Sequence, residues 1–144
     1  MTARTCSIAN TLEVVGERWS LLALREVFFG NTRFDQIAAN TGASRDVLAA
    51  RLKKLVAAGV LEKRQYSDHP PRHEYLLTDS GRALHNLLLM LKEWGDSYVT
   101  EAPLPLVWEH SCGHVLEARV VCAHCGEEAT AESLTRSEGT PVAL

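Results

Sequence analysis

No apolar run in this sequence is long enough to span a bilayer, and no basic-then-apolar leader opens it. A soluble cytoplasmic protein without a membrane partner is therefore expected. Signatures of catalysis are missing as well. There is no Ser-His-Asp arrangement, no glycine-rich phosphate cradle and no pair of carboxylates whose spacing suggests a cleft, so the chain is not expected to be an enzyme. The third absence is net positive charge, with a formal balance of −3 at pH 7. That rules out a uniformly basic nucleic-acid binder but not an uneven one. With 144 residues, 46% of them hydrophobic, the chain can bury one modest core and carry extensions.

Divided along the chain, the charge is uneven. Residues 44–75 hold seven Lys or Arg against four acids, whereas residues 101–144 hold two against seven, so an acidic tail masks a basic segment. Within that segment, residues 44–59 predict a helix. Ser44 before a periodic apolar run accepts orphan backbone N–H bonds, and Gly59 after it permits the left-handed turn that ends it. Leu48, Leu52 and Leu55 form a buried stripe at the i, i+4, i+7 spacing. Asp46, Ala49, Ala50, Lys53 and Lys54 project the other way, flanked by Arg45 and Arg51. A narrow cationic surface without bulky hydrophobes suits a DNA major groove, although a merely solvated basic face would look the same.

The neighbouring segments decide between these readings. Residues 32–41 predict a short helix, and Gly42-Ala43 a tight turn before the basic helix. Residues 60–66 and 73–78 predict two strands, joined by a loop over 67–72 that Pro70 and Pro71 stiffen. Helix, turn, helix and hairpin make a winged helix, mainly α with a small β-hairpin wing. Base contacts are assigned to Arg45 and Arg51, because a guanidinium can bond guanine bidentately, and phosphate contacts to Lys53, Lys54, Arg64 and Arg72; the flank position of Arg51 equally admits a salt bridge against the core. Ser44, at the helix start, joins this DNA-facing set. Arg33 is placed to meet a phosphate beside backbone N–H groups, or is an ordinary surface charge.

Either side of the winged core the chain is apolar. Residues 2–11 are a polar lead-in holding Cys6, and from Ile8 the positions Ile8, Leu12 and Val15 recur about once per turn. A longer amphipathic helix follows through Trp19, Leu21, Leu22, Leu24, Val27 and Phe28, with Trp19 read as a core wedge, and Gly30-Asn31 ends it. Beyond the hairpin, Thr78-Asp79-Ser80 starts a helix bearing Ala83, Leu84, Leu87, Leu88, Met90, Leu91, Trp94 and Tyr98. This is more apolar surface than a small winged domain covers by itself. Pairing with a second subunit is expected, and packing within one monomer is the alternative. Two copies of the basic helix would then address half-sites about one helical turn apart in a palindrome.

Cys6, then Val15-Gly16-Glu17-Arg18-Trp19-Ser20-Leu21-Leu22, Gly30-Asn31-Thr32-Arg33-Phe34, the run from Leu48 to Leu55 with Gly59-Val60-Leu61, Pro70-Pro71-Arg72-His73-Glu74-Tyr75 and Leu77-Thr78-Asp79-Ser80-Gly81 together resemble the HxlR family of bacterial transcriptional regulators. The resemblance covers roughly residues 6–100 in order. It implies a homodimeric winged helix-turn-helix protein, joined through its terminal helices, that binds palindromic promoter DNA, usually as a repressor. It also gives Cys6 a role, since several members sense electrophiles or oxidants through a cysteine at this place. A helix N-terminus and a cation such as Arg4 would favour its thiolate. The alternative is a small inert residue in the dimer interface.

The tail poses a separate question. His110-Ser111-Cys112-Gly113-His114 and Cys122-Ala123-His124-Cys125-Gly126 outline a zinc knuckle in which Cys122 and Cys125 would be joined by Cys112 and by His110 or His114, once a hairpin in the intervening residues brought the arms together. The alternative is a ribbon-like extension with reduced thiols. The organisation expected is thus a DNA-binding and dimerisation domain over 1–100 and a Cys/His-containing extension over 101–144, disordered beyond residue 127. Three functions are carried forward: a DNA-binding regulator governed by Cys6 or by a small-molecule effector, a metal-responsive regulator using the tail, and a thiol oxidoreductase using Cys122 and Cys125. The last lacks the helix-opening setting that such a motif needs.

Overall fold

The computed structural model describes residues 6–136. Arg4 and residues 137–144, part of the tail end expected to be disordered, lie outside them. The helices are α1 (Ser7–Val15), α2 (Arg18–Phe28), α3 (Phe34–Thr41), α4 (Arg45–Ala57), α5 (Asp79–Ala83) and α6 (His85–Tyr98). Between α4 and α5 lie the strands β1 (Leu61–Asp68) and β2 (Pro71–Leu77), paired antiparallel from Leu61↔Leu77 to Asp68↔Pro71. This is the winged helix expected from the sequence. Two compact units divide the chain, one up to Leu89 and one from Met90 onward.

The core of the first unit is built from one stripe of each helix. Leu24 of α2, Ile37 of α3, and Leu48, Leu52 and Leu55 of α4 are fully buried, with Leu61 at the foot of the wing. Burying one such side chain contributes about 1.5–3 kcal/mol, so these six orient α4 far more strongly than any surface charge can. The ends of α4 follow local rules. Ser44 Oγ accepts the Val47 N–H at 3.3 Å, and Gly42 and Gly59 adopt the left-handed φ values of 76° and 74° that turn the chain before and after it.

Between α1 and α2 the chain turns at Gly16, whose Cα lies so close to the Leu12 carbonyl that no Cβ fits there, and extended Glu17 opens α2. One expected helix is split. The helix after the wing breaks at Leu84, between α5 and α6. Here Gly81 is buried against the Val60 carbonyl oxygen, which a Cβ would strike. Gly81→Ala is accordingly expected to destabilise the domain by about 1–3 kcal/mol, read as a drop in the urea unfolding midpoint. An unchanged midpoint would mean that the α5 backbone shifts freely.

The wing is longer than its prolines suggested. Instead of a loop over 67–72, pairing continues through Ser67↔Arg72 and Asp68↔Pro71, leaving His69 and Pro70 at the tip. A two-stranded ribbon has only edges, and an edge tolerates a residue without an N–H. Its register shifts between Gln65 and Ser67.

In the second unit, the tail also departs from expectation. Val115 bridges Glu109 and Val121 bridges Glu128, so the residues between the two motifs do not form a hairpin joining them. Each motif is its own tight turn, because Gly113 and Gly126 reverse the chain at φ values of 90° and 78°. Order continues beyond residue 127. Glu128 is bridged, and a short 3-10 turn at Ala131–Ser133 is capped at Thr130.

Candidate nucleic-acid interface

α3, the Gly42 turn and α4 present one continuous surface. On α4 the residues Arg45, Asp46, Ala49, Ala50, Lys53 and Lys54 are all exposed, as the wheel required. Arg45, with its side chain 69% exposed, donates to Asp35 Oδ1 at 2.9 Å and lies 4.8 Å from the centre of the Phe34 ring. The first turn of α3 therefore holds the first residue of α4 in place. An exposed pair of this kind is weak and screened by salt, so a stronger bidentate partner can displace Asp35.

Arg51 departs from its assigned base contact and takes the alternative, a salt bridge. Expected to contact bases beside Arg45, it is instead half-buried, with its guanidinium against the Glu17 carboxylate at the start of α2, where Lys54 Nζ also approaches to 3.9 Å. Position 51 lies beside the Leu48 and Leu55 row rather than opposite it, and the packing of α2 on α4 supplies the acid. Its Nε is buried with no well-directed hydrogen bond. Ser44 is likewise engaged, as the cap of α4.

The wing is fastened to the entrance of α3. The Tyr75 N–H donates to the Thr32 carbonyl at 2.8 Å, and the Arg33 guanidinium lies 4.5 Å from the Tyr66 ring centre. Glu74 accepts from Arg64 at 2.9 Å and from the Thr32 hydroxyl at 3.2 Å. The Arg64 hydrogen bond is the main reason its carboxyl sits below the usual range. Among the described residues Lys53, Lys63 and Arg72 form no ion pair, so these cations, with Arg33, are the ones most available to phosphates.

Behind this surface is a residue that sequence reasoning passed over. Glu26 is 3% exposed, and its carboxylate accepts from Arg25 Nε at 2.9 Å, Asn31 Nδ2 at 2.8 Å and Asn40 Nδ2 at 2.9 Å. Burial disfavours its charge. The donors from Asn40, Asn31 and Arg25 outweigh that, and its pKa is lowered. The network ties the end of α2 to the loop before α3 and to the last turn of α3. A signal was present, since Glu26 stands three residues after buried Ala23, on the apolar side of α2.

Cys6 belongs to the first unit and the other three cysteines to the second. Cys6 is half-buried at the N-cap of α1, and its carbonyl accepts the Asn10 N–H at 2.9 Å. In the tail, Cys112 Sγ stands 3.9 Å from His114 Nδ1, and the Cys112 N–H donates to His110 Nδ1 at 3.2 Å. The Cys122 thiol is lowered in pKa by the backbone N–H groups of Cys125 and His124 and by the Cys125 thiol. A structural zinc takes four protein donors. The described residues offer donors in pairs, Cys112 with His114 and Cys122 with Cys125, and among them no group of three or more is gathered.

Comparison with known proteins agrees with this architecture. The model of the HxlR-like helix-turn-helix family matches residues 14–103. The HTH-type transcriptional regulator Rv3095 of Mycobacterium tuberculosis is 46% identical over 135 residues, which is 92% of this chain and 85% of that protein. Among solved structures, PA1607, described as a candidate transcription factor, superposes with a TM-score of 0.81 at 34% identity, over 94% of this chain and 96% of its own. The redox regulator HypR in its oxidised form matches with a TM-score of 0.62 at 31% identity, over 67% of this chain and all of its own. Among the described residues no helix is long and apolar enough to cross a membrane.

Proposed function

Because this chain belongs to the HxlR-like helix-turn-helix family of DNA-binding transcriptional regulators, we propose that it binds palindromic promoter DNA as a homodimer and acts there as a repressor. The observation that carries this reading is the outer face of α4, small, cationic and exposed, with Arg45 at its leading end. Arg45 leaves Asp35 to bond a guanine in the major groove. Lys53 and Lys54 of α4, Arg33 before α3 and Arg64 and Arg72 of the wing neutralise phosphates on either side. Arg51 keeps α4 seated on α2 through Glu17 and reads no base.

Dimerisation uses the apolar residues left open on α1 and α6, among them Ile8, Leu12, Leu91 and Trp94. Cys6 begins α1, so an adduct or a disulfide there alters the pairing of subunits and the spacing of the two wings. Both half-sites must be engaged together, and a small rotation therefore suffices for release. HypR, a relative whose name records redox regulation and which is described in reduced and oxidised forms, supports this reading of Cys6.

A mobility shift on the DNA upstream of the chain's own coding region tests the proposal. Arg45→Ala should lose about 1–3 kcal/mol of discrimination at one base position, whereas Lys53→Ala should weaken all sequences alike and flatten the salt dependence. If both variants bind like the parent, α4 is not the reading helix. Diamide should abolish the shift of the parent and spare that of Cys6→Ser. Release that persists in Cys6→Ser would transfer the sensing to a non-covalent effector.

A further inference from the structure

Cys122 and Cys125 occupy the first and fourth positions of a turn that is closed on both sides. The Gly126 N–H donates to the Cys122 carbonyl at 2.7 Å, the Cys122 N–H donates to the Glu127 carbonyl at 2.8 Å, and Val121 bridges Glu128 immediately outside. Turns of this kind hold the Cα atoms of their first and fourth residues within about 7 Å, which reaches the separation a disulfide needs. The Cys122 thiol is held below its ordinary pKa, chiefly by the backbone N–H groups of Cys125 and His124 and then by the Cys125 thiol. Both residues are exposed, and neither is in a disulfide. The pair lies beyond residue 103, where the family match ends, and no third metal-ligating group joins it among the described residues.

We propose that Cys122 and Cys125 form a reversible intrachain disulfide, a site of oxidation by hydroperoxides that works without Cys6. The chemistry is a two-electron exchange in two displacements. The thiolate of Cys122, its proton lost to solvent, attacks the terminal oxygen of the hydroperoxide, the O–O bond breaks, and a sulfenic acid forms while the departing hydroxide or alkoxide takes a proton from solvent to leave as water or an alcohol. The Cys125 sulfur then attacks Cys122 Sγ, the S–O bond breaks, the thiol proton leaves with the oxygen as water, and the S–S bond closes. Both thiols are oxidised and one hydroperoxide is reduced. A dithiol reductant reverses the step by exchange. The hydrogen bonds closing the turn involve backbone groups alone, so the disulfide forms within the turn already present.

The test uses the full chain and Cys6→Ser, freshly purified without chelator, with bound zinc measured first. Each is treated with hydrogen peroxide, its free thiols are alkylated, and the tail peptides are mapped by mass spectrometry. The expected result is that Cys122 and Cys125 escape alkylation together in one peptide lighter by two hydrogens, equally in both proteins, and that dithiothreitol restores both thiols. In Cys122→Ser, Cys125 should yield no such peptide. Three outcomes would overturn the proposal: one zinc per chain whose chelation is needed before these thiols react, disulfides joining either cysteine to Cys6 or Cys112, or further oxidation of Cys122 while Cys125 stays a free thiol.

Discussion

Leu12→Glu is expected to yield a folded monomer whose affinity for a two-half-site operator falls by roughly 10²–10⁴-fold, the factor lost when the second half-site is no longer bound intramolecularly. Leu12 is 57% exposed on α1 and Trp94 62% exposed on α6. A charge at either place therefore removes little that the monomer uses, while an isologous interface meets that charge twice. Sedimentation should show half the mass of the parent, thermal unfolding of the isolated chain should shift little, and binding to a single half-site should be unchanged. Trp94→Glu should behave in the same way. A dimer that persists in both variants, with full operator affinity, would place the subunit contact elsewhere.

The second large effect concerns Glu26. Glu26→Gln is expected to lower the unfolding free energy by about 2–3 kcal/mol at neutral pH, because the amide turns an N–H₂ toward Asn31 or Asn40 and leaves a buried donor unpaired. The pH dependence follows from the lowered carboxyl pKa. A group depressed in the folded state contributes stability above its unfolded value of about 4.3 and loses it as pH falls through the folded value. Protonated Glu26 offers one donor and one acceptor, much as glutamine does. The gap between parent and variant in urea unfolding should therefore be full at pH 7 and close in strongly acidic solution. A gap independent of pH would show that the carboxylate's charge is not what the network uses. Since Asn40 closes α3, the variant should also loosen the turn into α4, read as faster amide exchange at residues 41–44.

The two cases mark where reading the sequence succeeded and where it stopped. Leu12 and Trp94 were legible as apolar positions beyond what a small core covers, because periodicity alone reveals a stripe. Glu26 was legible only as an acid on the apolar side of α2, since its partners Asn31 and Asn40 are brought to it by the turn after α2 and by the packing of α2 against α3. For Arg51 the sequence left base contact and a salt bridge both open, and the structure takes the salt bridge. A helical wheel places Arg51 on a flank of α4, but only the approach of α2 supplies Glu17. The wing extends past the loop that Pro70 and Pro71 suggest, because a ribbon with no interior strand does not exclude proline. In the tail the cysteine motifs were visible, but a hairpin expected between them gave way to one turn around each, as the two left-handed glycines sit inside the motifs.

By itself the sequence determined what local chemistry can specify: the helices and their caps, the glycine turn between α3 and α4, the hairpin, the basic outer face and the family. These depend on backbone hydrogen bonds and periodicities that span a few residues. Tertiary structure alone decided the partners: Arg45 with Asp35, Arg51 with Glu17, and Glu26 with two asparagines. A charge carries no record of its partner in its neighbours along the chain, because which groups meet is settled by the burial of leucines on the opposite sides of the same helices.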